Sequence, residues 1–163
     1  TETTGLEARD EIVEIAVVDF DGSVLFESLI RPTIRIPPDV IRIHGITNEM
    51  VAEAPTWKEL FPRLEEILRG RLVGIYNADF DLRMLSQSNL AHGLYFPRDI
   101  FDSFCIMRLY AQFYGAPGRY GSARWQKLEA AARQCGIPLQ NTHRARDDAL
   151  LARAVFEHIL RNA

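Results

Sequence analysis

Apolar residues in the first part of the chain follow the spacing of β-strands. Residues 11–20 (EIVEIAVVDF) are rich in Val and Ile. The pair Asp21-Gly22 then forms a two-residue turn into residues 23–31, and this arrangement predicts a β-hairpin. The hairpin supplies two neighbouring strands of a sheet.

Prolines and a helical repeat organise the next segment. Pro32, Pro37, Pro38 and Pro55 predict that residues 31–55 are mostly loop, with a short helical turn at residues 39–43. A helix from Thr56 to about Arg69 follows, with Thr56 as its cap and Gly70 at its end. Its apolar residues at helical spacing are Leu60, Leu64, Ile67 and Leu68.

The rest of the chain alternates strands and helices. The pattern predicts strands at 71–76 and 100–102, helices at 79–91, 103–114, 124–134 and 144–160, and a loop at 115–121. A hairpin followed by alternating helices and strands is an α/β pattern, with a mixed sheet flanked by helices. Without repeats or linkers, residues 1–163 are expected to form one domain.

Composition narrows the class of protein. Apolar residues make up 47% of the chain and charged residues 25%, which excludes a disordered or collagen-like chain. Two distant cysteines give no support to a disulfide framework or a thiolate zinc site. No apolar run approaches the roughly 18 residues of a membrane span, and the polar start differs from a signal peptide. We therefore expect a cytoplasmic protein with no membrane partner.

Charge is distributed unevenly along the chain. The net charge is -3, but residues 1–114 carry -7 and residues 115–163 carry +4. Most of the basic residues are Arg, whose planar guanidinium suits phosphate recognition. The alternative is a biased composition with solvated Arg side chains on helix faces.

The last predicted helix carries an acidic residue on its apolar stripe. Asp148 shares one face with Leu151, Ala152, Val155, Phe156 and Ile159. A carboxylate in that position needs a cation or strong donors, whereas Asp147 can point to solvent. The alternative is that Asp148 only favours the helix dipole. His143 precedes the helix on a loop, where it can lie beside the same carboxylate.

Carboxylates also lie near the ends of predicted strands and helices in two other parts of the chain. Asp79 and Asp81 lie where a strand ends and a helix begins, and a cap at Asp79 does not account for both. Glu2 lies on a strand near the start of the chain, where a second carboxylate on the same face would precede Thr1. Carboxylates that converge from three elements suit hard cations such as Mg²⁺ or Mn²⁺.

Four short motifs follow one another along the chain. They are, in order, residues 1–6 (TETTGL), residues 44–47 (HGIT), residues 77–81 (NADFD) and residues 143–148 (HRARDD). The first is similar to the end of D-x-E-T-T-G-L, and the last matches H-x-A-x-x-D. Together the four resemble the motifs of the DEDDh 3′-to-5′ exonucleases, the family that includes RNase T and the proofreading epsilon subunit of bacterial DNA polymerase III. The resemblance covers nearly the whole chain and implies a ribonuclease H-like fold.

The resemblance also implies roles for individual residues. Glu2, Asp81 and Asp148 would hold two Mg²⁺ or Mn²⁺ ions, and His143 would act as general base. The terminal nucleotide would lie against Thr3, Thr4, Leu6, His44, Asn77 and Phe80. The opening Asp of the first motif would immediately precede Thr1. With the first strand cut short, we expect the chain to be part of a longer protein.

The resulting hypothesis is a metal-dependent 3′-5′ exonuclease that releases nucleoside 5′-monophosphates from single-stranded DNA, or from RNA. The alternative is a non-catalytic nucleic-acid-binding or polymerase-associated module with the same fold. A flavodoxin-like nucleotide-binding domain fits less well, because no Gly-rich phosphate loop joins a strand to a helix. The sequence leaves open DNA or RNA preference, association with a DNA polymerase subunit in replication or repair, and a homodimer.

Overall fold

Five strands and seven helices follow one another in the computed structural model, which describes residues 1–97, 99–118, 123–138 and 142–163. In chain order they are β1 (Glu2–Thr3), β2 (Ile12–Val18), β3 (Val24–Leu29), α1 (Pro38–His44), α2 (Asn48–Val51), α3 (Trp57–Leu68), β4 (Leu72–Ile75), α4 (Ala78–Ala91), β5 (Asp102–Cys105), α5 (Ile106–Tyr114), α6 (Leu128–Gln134) and α7 (Ala145–Asn162).

The strands form an antiparallel ladder and a parallel ladder. The order β1-β2-β3 is antiparallel throughout, with Glu2 opposite Glu14, while β4 and β5 pair in parallel. Both strand directions flanked by helices confirm the predicted mixed α/β architecture. A cavity of about 650 Å³ is lined by β2, β4 and the first half of α7. The cavity is where the candidate site lies.

The predicted hairpin is present, but its turn is longer than two residues. Val18 pairs with Val24 across a bulge, and the Asp19 N–H donates to the Ser23 carbonyl at 2.8 Å. The Asp21 side chain instead accepts hydrogen bonds from the backbone N–H and from the hydroxyl of Ser23. The bulge shifts the register and lengthens the connection, so the Asp-Gly pair does not define the turn alone.

The segment predicted as a proline-rich loop contains two short helices, α1 and α2, and α3 follows it. The short turn expected at residues 39–43 is a helix, and α2 was not predicted. The helix predicted after Thr56 is confirmed as α3, where Thr56 and Glu59 form a capping box. The two short helices lack an apolar repeat long enough to detect, and their packing against the core stabilises them.

Several boundaries differ from prediction. Strand β5 spans Asp102–Cys105 rather than residues 100–102, because these four residues pair in parallel with β4, and α5 therefore begins at Ile106 rather than residue 103. Helix α6 begins at Leu128 rather than residue 124, since the Arg124 N–H bonds the Ala116 carbonyl at 2.9 Å and keeps this segment extended. Residues 119–121 of the predicted loop lie outside the described residues.

The buried face of α7 follows the stripe predicted from sequence. Leu151, Ala152, Val155 and Ile159 are buried against α5 and α6, and Phe156 is partly buried at the same cluster. This packing fixes the rotation of α7 about its axis and therefore the direction of Asp148. Across the described segments, no helix combines the length and apolar character needed to cross a bilayer.

Candidate active site

Three elements position the predicted carboxylates. Glu2 lies on β1, Asp81 lies in the first turn of α4, and Asp148 lies in the first turn of α7. Asp81 and Asp148 both line the large cavity, together with Thr1 and Asn77. The fold therefore brings residues from the start, middle and end of the chain to one place.

The turn from β4 into α4 determines which acidic residue faces the site. Asn77 adopts φ 66° immediately before α4, in the left-handed region that Asn tolerates better than most residues. Asp79 is not the N-cap that the sequence predicts, and it forms an exposed ion pair with Arg108 at 2.6 Å. The left-handed residue starts the helix earlier, so Asp79 turns outward while Asp81 faces the cavity.

Burial and repulsion between acidic groups raise the proton affinity of Glu2 and Asp148. Burial, with the nearby charges of Asp148, Glu14 and Asp81, raises the pKa of Glu2 to about 8. Burial also raises the pKa of Asp148. Within the part of the chain that the structure describes, the buried Oδ1 of Asp148 has no hydrogen-bond partner. A buried carboxylate oxygen of this kind is favourable only when a cation or donor reaches it.

Asp81 is held by the first residue of the chain. Its Oδ1 accepts a hydrogen bond from the Thr1 hydroxyl at 2.7 Å. This bond and the position of Thr1 beside β1 orient the Asp81 carboxylate at the start of that strand. They also connect α4 directly to the strand that carries Glu2.

The donor set suits a hard divalent cation, although the three side chains are not arranged as a ready coordination sphere. Among the described ranges, no three His, Cys, Asp or Glu side chains are grouped closely enough to hold a metal. Anionic carboxylates repel one another, and Asp81 bonds Thr1. The all-oxygen chemistry and the unpartnered Asp148 oxygen nevertheless fit Mg²⁺ or Mn²⁺.

His143 lies on the loop before α7, as predicted. It is exposed and adopts φ 53°, a backbone conformation uncommon outside Gly and Asn. It lies near enough to Asp148 that a positive charge on the ring would oppose the rise in the pKa of that carboxyl. The loop therefore presents an imidazole to solvent beside the carboxylate of α7.

The residues predicted to contact a terminal nucleotide fall into two groups. Leu6 is 69% exposed, and Phe80 is half-buried with the Arg83 guanidinium above its ring. Thr3 and Thr4 are buried, and their hydroxyls donate to the Gly5 carbonyl and to Asp10, both at 2.7 Å. The two threonines shape the loop that presents Leu6, and direct substrate contact by them stays a prediction.

A model of the RNase T exonuclease family matches residues 1–156. The chain belongs to this exonuclease family. This membership, with the relatives below, confirms the predicted DEDDh exonuclease resemblance.

Relatives of this exonuclease cover nearly all of its length. It is 38% identical to uncharacterized exonuclease CP81 of Escherichia phage 186, across 96% of this chain and 84% of the relative. It is 33% identical to the DNA polymerase III subunit epsilon of Treponema pallidum, across 96% and 72%. Exonuclease X in complex with 5′ overhanging duplex DNA superposes with a TM-score of 0.75 at 27% identity, across 100% and 89%.

The sequence analysis did not predict the ion pair that lies next to the candidate site of the exonuclease. Glu14 on β2 and Arg144 before α7 form a bidentate pair, and Glu14 also accepts the Ala145 N–H at 2.8 Å. Each residue is unremarkable in its own segment. The one available signal is a charged residue within the Val- and Ile-rich strand at 11–20, where a buried acid requires a partner.

Proposed function

We propose that this exonuclease domain removes nucleoside 5′-monophosphates from the 3′ end of single-stranded DNA, with divalent metal ions. The observation that carries the proposal is that Asp81 and Asp148 line one cavity, with the Asp148 Oδ1 buried and unpartnered in the described structure. Glu2 lies near enough on β1 for the charges of both carboxylates to raise its pKa. A binding module has no need for acidic side chains at this cavity. A metal-dependent phosphodiesterase uses them to hold cations.

Glu2, Asp81 and Asp148 would hold two Mg²⁺ or Mn²⁺ ions. When bound, such ions stabilise charge on a scissile phosphate and on the leaving 3′ oxygen. The protein fixes the positions of the three carboxylates. Asp148 is fixed by the packing of α7, Glu2 by pairing with β2, and Asp81 by the first turn of α4.

His143 is the proposed general base. Its position on an exposed loop beside Asp148 allows the ring to accept a proton from attacking water and pass it to solvent. Histidine is the side chain most often used for such a proton transfer near neutral pH. Leu6, Phe80 and Asn77, with His44 and the Thr3-Thr4 pair behind them, would contact the terminal nucleotide. Exposed Leu6 and half-buried Phe80 offer apolar surface to bases.

The test uses the full-length protein and a single-stranded oligonucleotide labelled at either end. We expect a 3′ label to be released at once as a mononucleotide and a 5′ label to give a shortening ladder, with Mg²⁺ or Mn²⁺. Activity that survives excess chelator would exclude the metal mechanism. Binding without cleavage would instead support the non-catalytic module. RNA of the same sequence tests DNA preference.

The partners are proposed by likeness. The epsilon-subunit relative supports a DNA polymerase subunit as a partner, with a role in proofreading. The complex of Exonuclease X with DNA supports nucleic acid as the ligand of the site. A homodimer and a cytoplasmic location stay predictions from sequence.

A further inference from the structure

Glu14 is a fully enclosed acid on a strand of the sheet. Only 2% of its surface is exposed, and its Cα lies between Glu2 on β1 and Leu29 on β3. An ionised carboxylate at this depth is expensive to bury without strong donors. The position therefore requires donors from another element.

Those donors come from the start of α7. The Arg144 Nε lies 3.0 and 3.1 Å from the two carboxylate oxygens of Glu14, and Nη2 makes a further contact. The Ala145 N–H donates to the second oxygen at 2.8 Å. Arg144 makes no side-chain cap bond of its own, so Glu14 caps the helix from the neighbouring strand.

The anchored residues lie between the two groups that the proposed function uses. Arg144 directly follows His143, and the Asp148 N–H donates to the Arg144 carbonyl at 3.0 Å. His143 has left-handed backbone, which persists only where its neighbours are held. On the other side of His143, the Thr142 hydroxyl donates to Asp147 at 2.6 Å.

We propose that Glu14 and Arg144 are positioning residues, which fix the His143 loop and the first turn of α7 relative to β2. This inference rests on the proposed function, because it concerns the geometry of the base and of the Asp148 carboxylate. Glu14 is not assigned as a metal ligand, since its oxygens already accept from Arg144 and Ala145. The fork of Arg144 matters more than its charge.

The test compares Arg144→Lys with Arg146→Lys in the full-length protein. Lysine keeps the charge but loses the bidentate fork, and we expect kcat to fall about 10- to 100-fold with KM nearly unchanged. Arg146 is the matched control, because it lies two positions away and makes only long, half-exposed ion pairs, with Glu27 at 3.6 Å and with Asp147 at 3.5 Å. Arg146→Lys should retain the wild-type kcat.

A double-mutant cycle tests whether Arg144 acts through His143. In a His143→Ala background, Arg144→Lys should lower kcat by less than in the wild type, because one of the two groups that it positions is gone. Equal loss in both backgrounds would overturn the proposal. Glu14→Gln keeps the shape of Glu14 and should reproduce the Arg144→Lys defect.

A readout without catalysis completes the test. The chain has four histidines, so the imidazole signals of His143 can be assigned by comparison with His143→Ala. Arg144→Lys should shift the His143 signals and leave those of His158 in place, with cooperative thermal unfolding retained. Unchanged His143 signals would overturn the proposal. If wild-type protein shows no nuclease activity, the proposed function fails, whereas active wild type with a silent Arg144→Lys refutes only the positioning role.

Discussion

The imidazole of His44 bonds the carbonyl oxygen of Thr3 at 3.2 Å and so joins α1 to β1. The other ring nitrogen, Nδ1, accepts the Ile46 N–H at 3.0 Å. Nε2 must therefore carry the proton and donate it to Thr3. Burial lowers the pKa of His44, in agreement with a neutral ring. His44 supports the strand that carries Glu2, one position before Thr3.

We expect this bond to make stability depend on pH. The folded pKa of His44 is lowered, so the unfolded chain binds the proton more tightly, and stability falls as the pH drops below about 6.5 toward the folded pKa. Thermal denaturation across this range should show a smaller slope for His44→Gln than for wild type. His158→Gln, at a partly exposed site against Phe113, should retain the slope. Identical slopes for wild type and His44→Gln would contradict the prediction.

The two adjacent aspartates of α7 should respond differently to substitution. Asp148→Asn should reduce exonuclease activity by at least about 100-fold, because the amide cannot hold a cation as the carboxylate does. Asp147→Asn removes only a partly exposed carboxylate that accepts from Thr142 and should keep most activity. Initial rates on the same oligonucleotide decide the matter. If Asp148→Asn stays active and Asp147→Asn is inactive, the face of α7 that carries Asp147 lies at the site, and the prediction is wrong.

Mg²⁺ should stabilise the protein more at high pH than at low pH. The pKa of Glu2 is raised to about 8 from 4.5, so the folded state holds a proton that the unfolded chain releases. The stability of the metal-free protein is therefore lost as the pH rises through about 8, and a cation that replaces the proton restores it. Melting temperatures with and without Mg²⁺ at about pH 6 and about pH 9 test this. An equal increase in melting temperature at both pH values would exclude the prediction. Glu2→Gln should reduce the difference between the two increases.

His143→Ala should separate catalysis from metal binding. Removing a general base lowers turnover about 10²- to 10⁴-fold, while the metal affinity of the carboxylates should stay close to that of wild type. Turnover near neutral pH and calorimetric titration with Mn²⁺ measure the two effects. A loss of Mn²⁺ affinity as large as the loss of turnover would make His143 a ligand instead.

Truncation of Leu6 and truncation of Phe80 should have different effects on the stability of the protein. Leu6 is 69% exposed, so Leu6→Ala should change the free energy of unfolding by less than about 0.5 kcal/mol while raising KM for single-stranded DNA several-fold. Phe80 also packs against the core, so Phe80→Ala should lower both stability and affinity. Leu160→Ala, exposed at the end of α7, is the control and should alter neither. An unchanged KM for Leu6→Ala would remove Leu6 from the substrate surface.

Local patterns in the sequence determined the elements and much of the site. The stripe of α7 predicts the direction of Asp148, because helical periodicity depends only on nearby residues. The capping box of Thr56 and Glu59 likewise lies within four residues. The family motifs then assign Glu2, Asp81 and His143, whose roles stay predictions.

Only the tertiary structure decided how charges and polar groups are paired. Glu14 and Arg144 are 130 residues apart, so no local pattern signals their bond. Asp79 is not the predicted N-cap of α4, because the left-handed Asn77 occupies that position. Its carboxylate pairs with Arg108 instead. His44 became a buried support for β1 through the Thr3 carbonyl. The physical reason is that the energy of a buried polar group depends on the partner that the completed fold brings to it, and the surrounding sequence does not specify that partner.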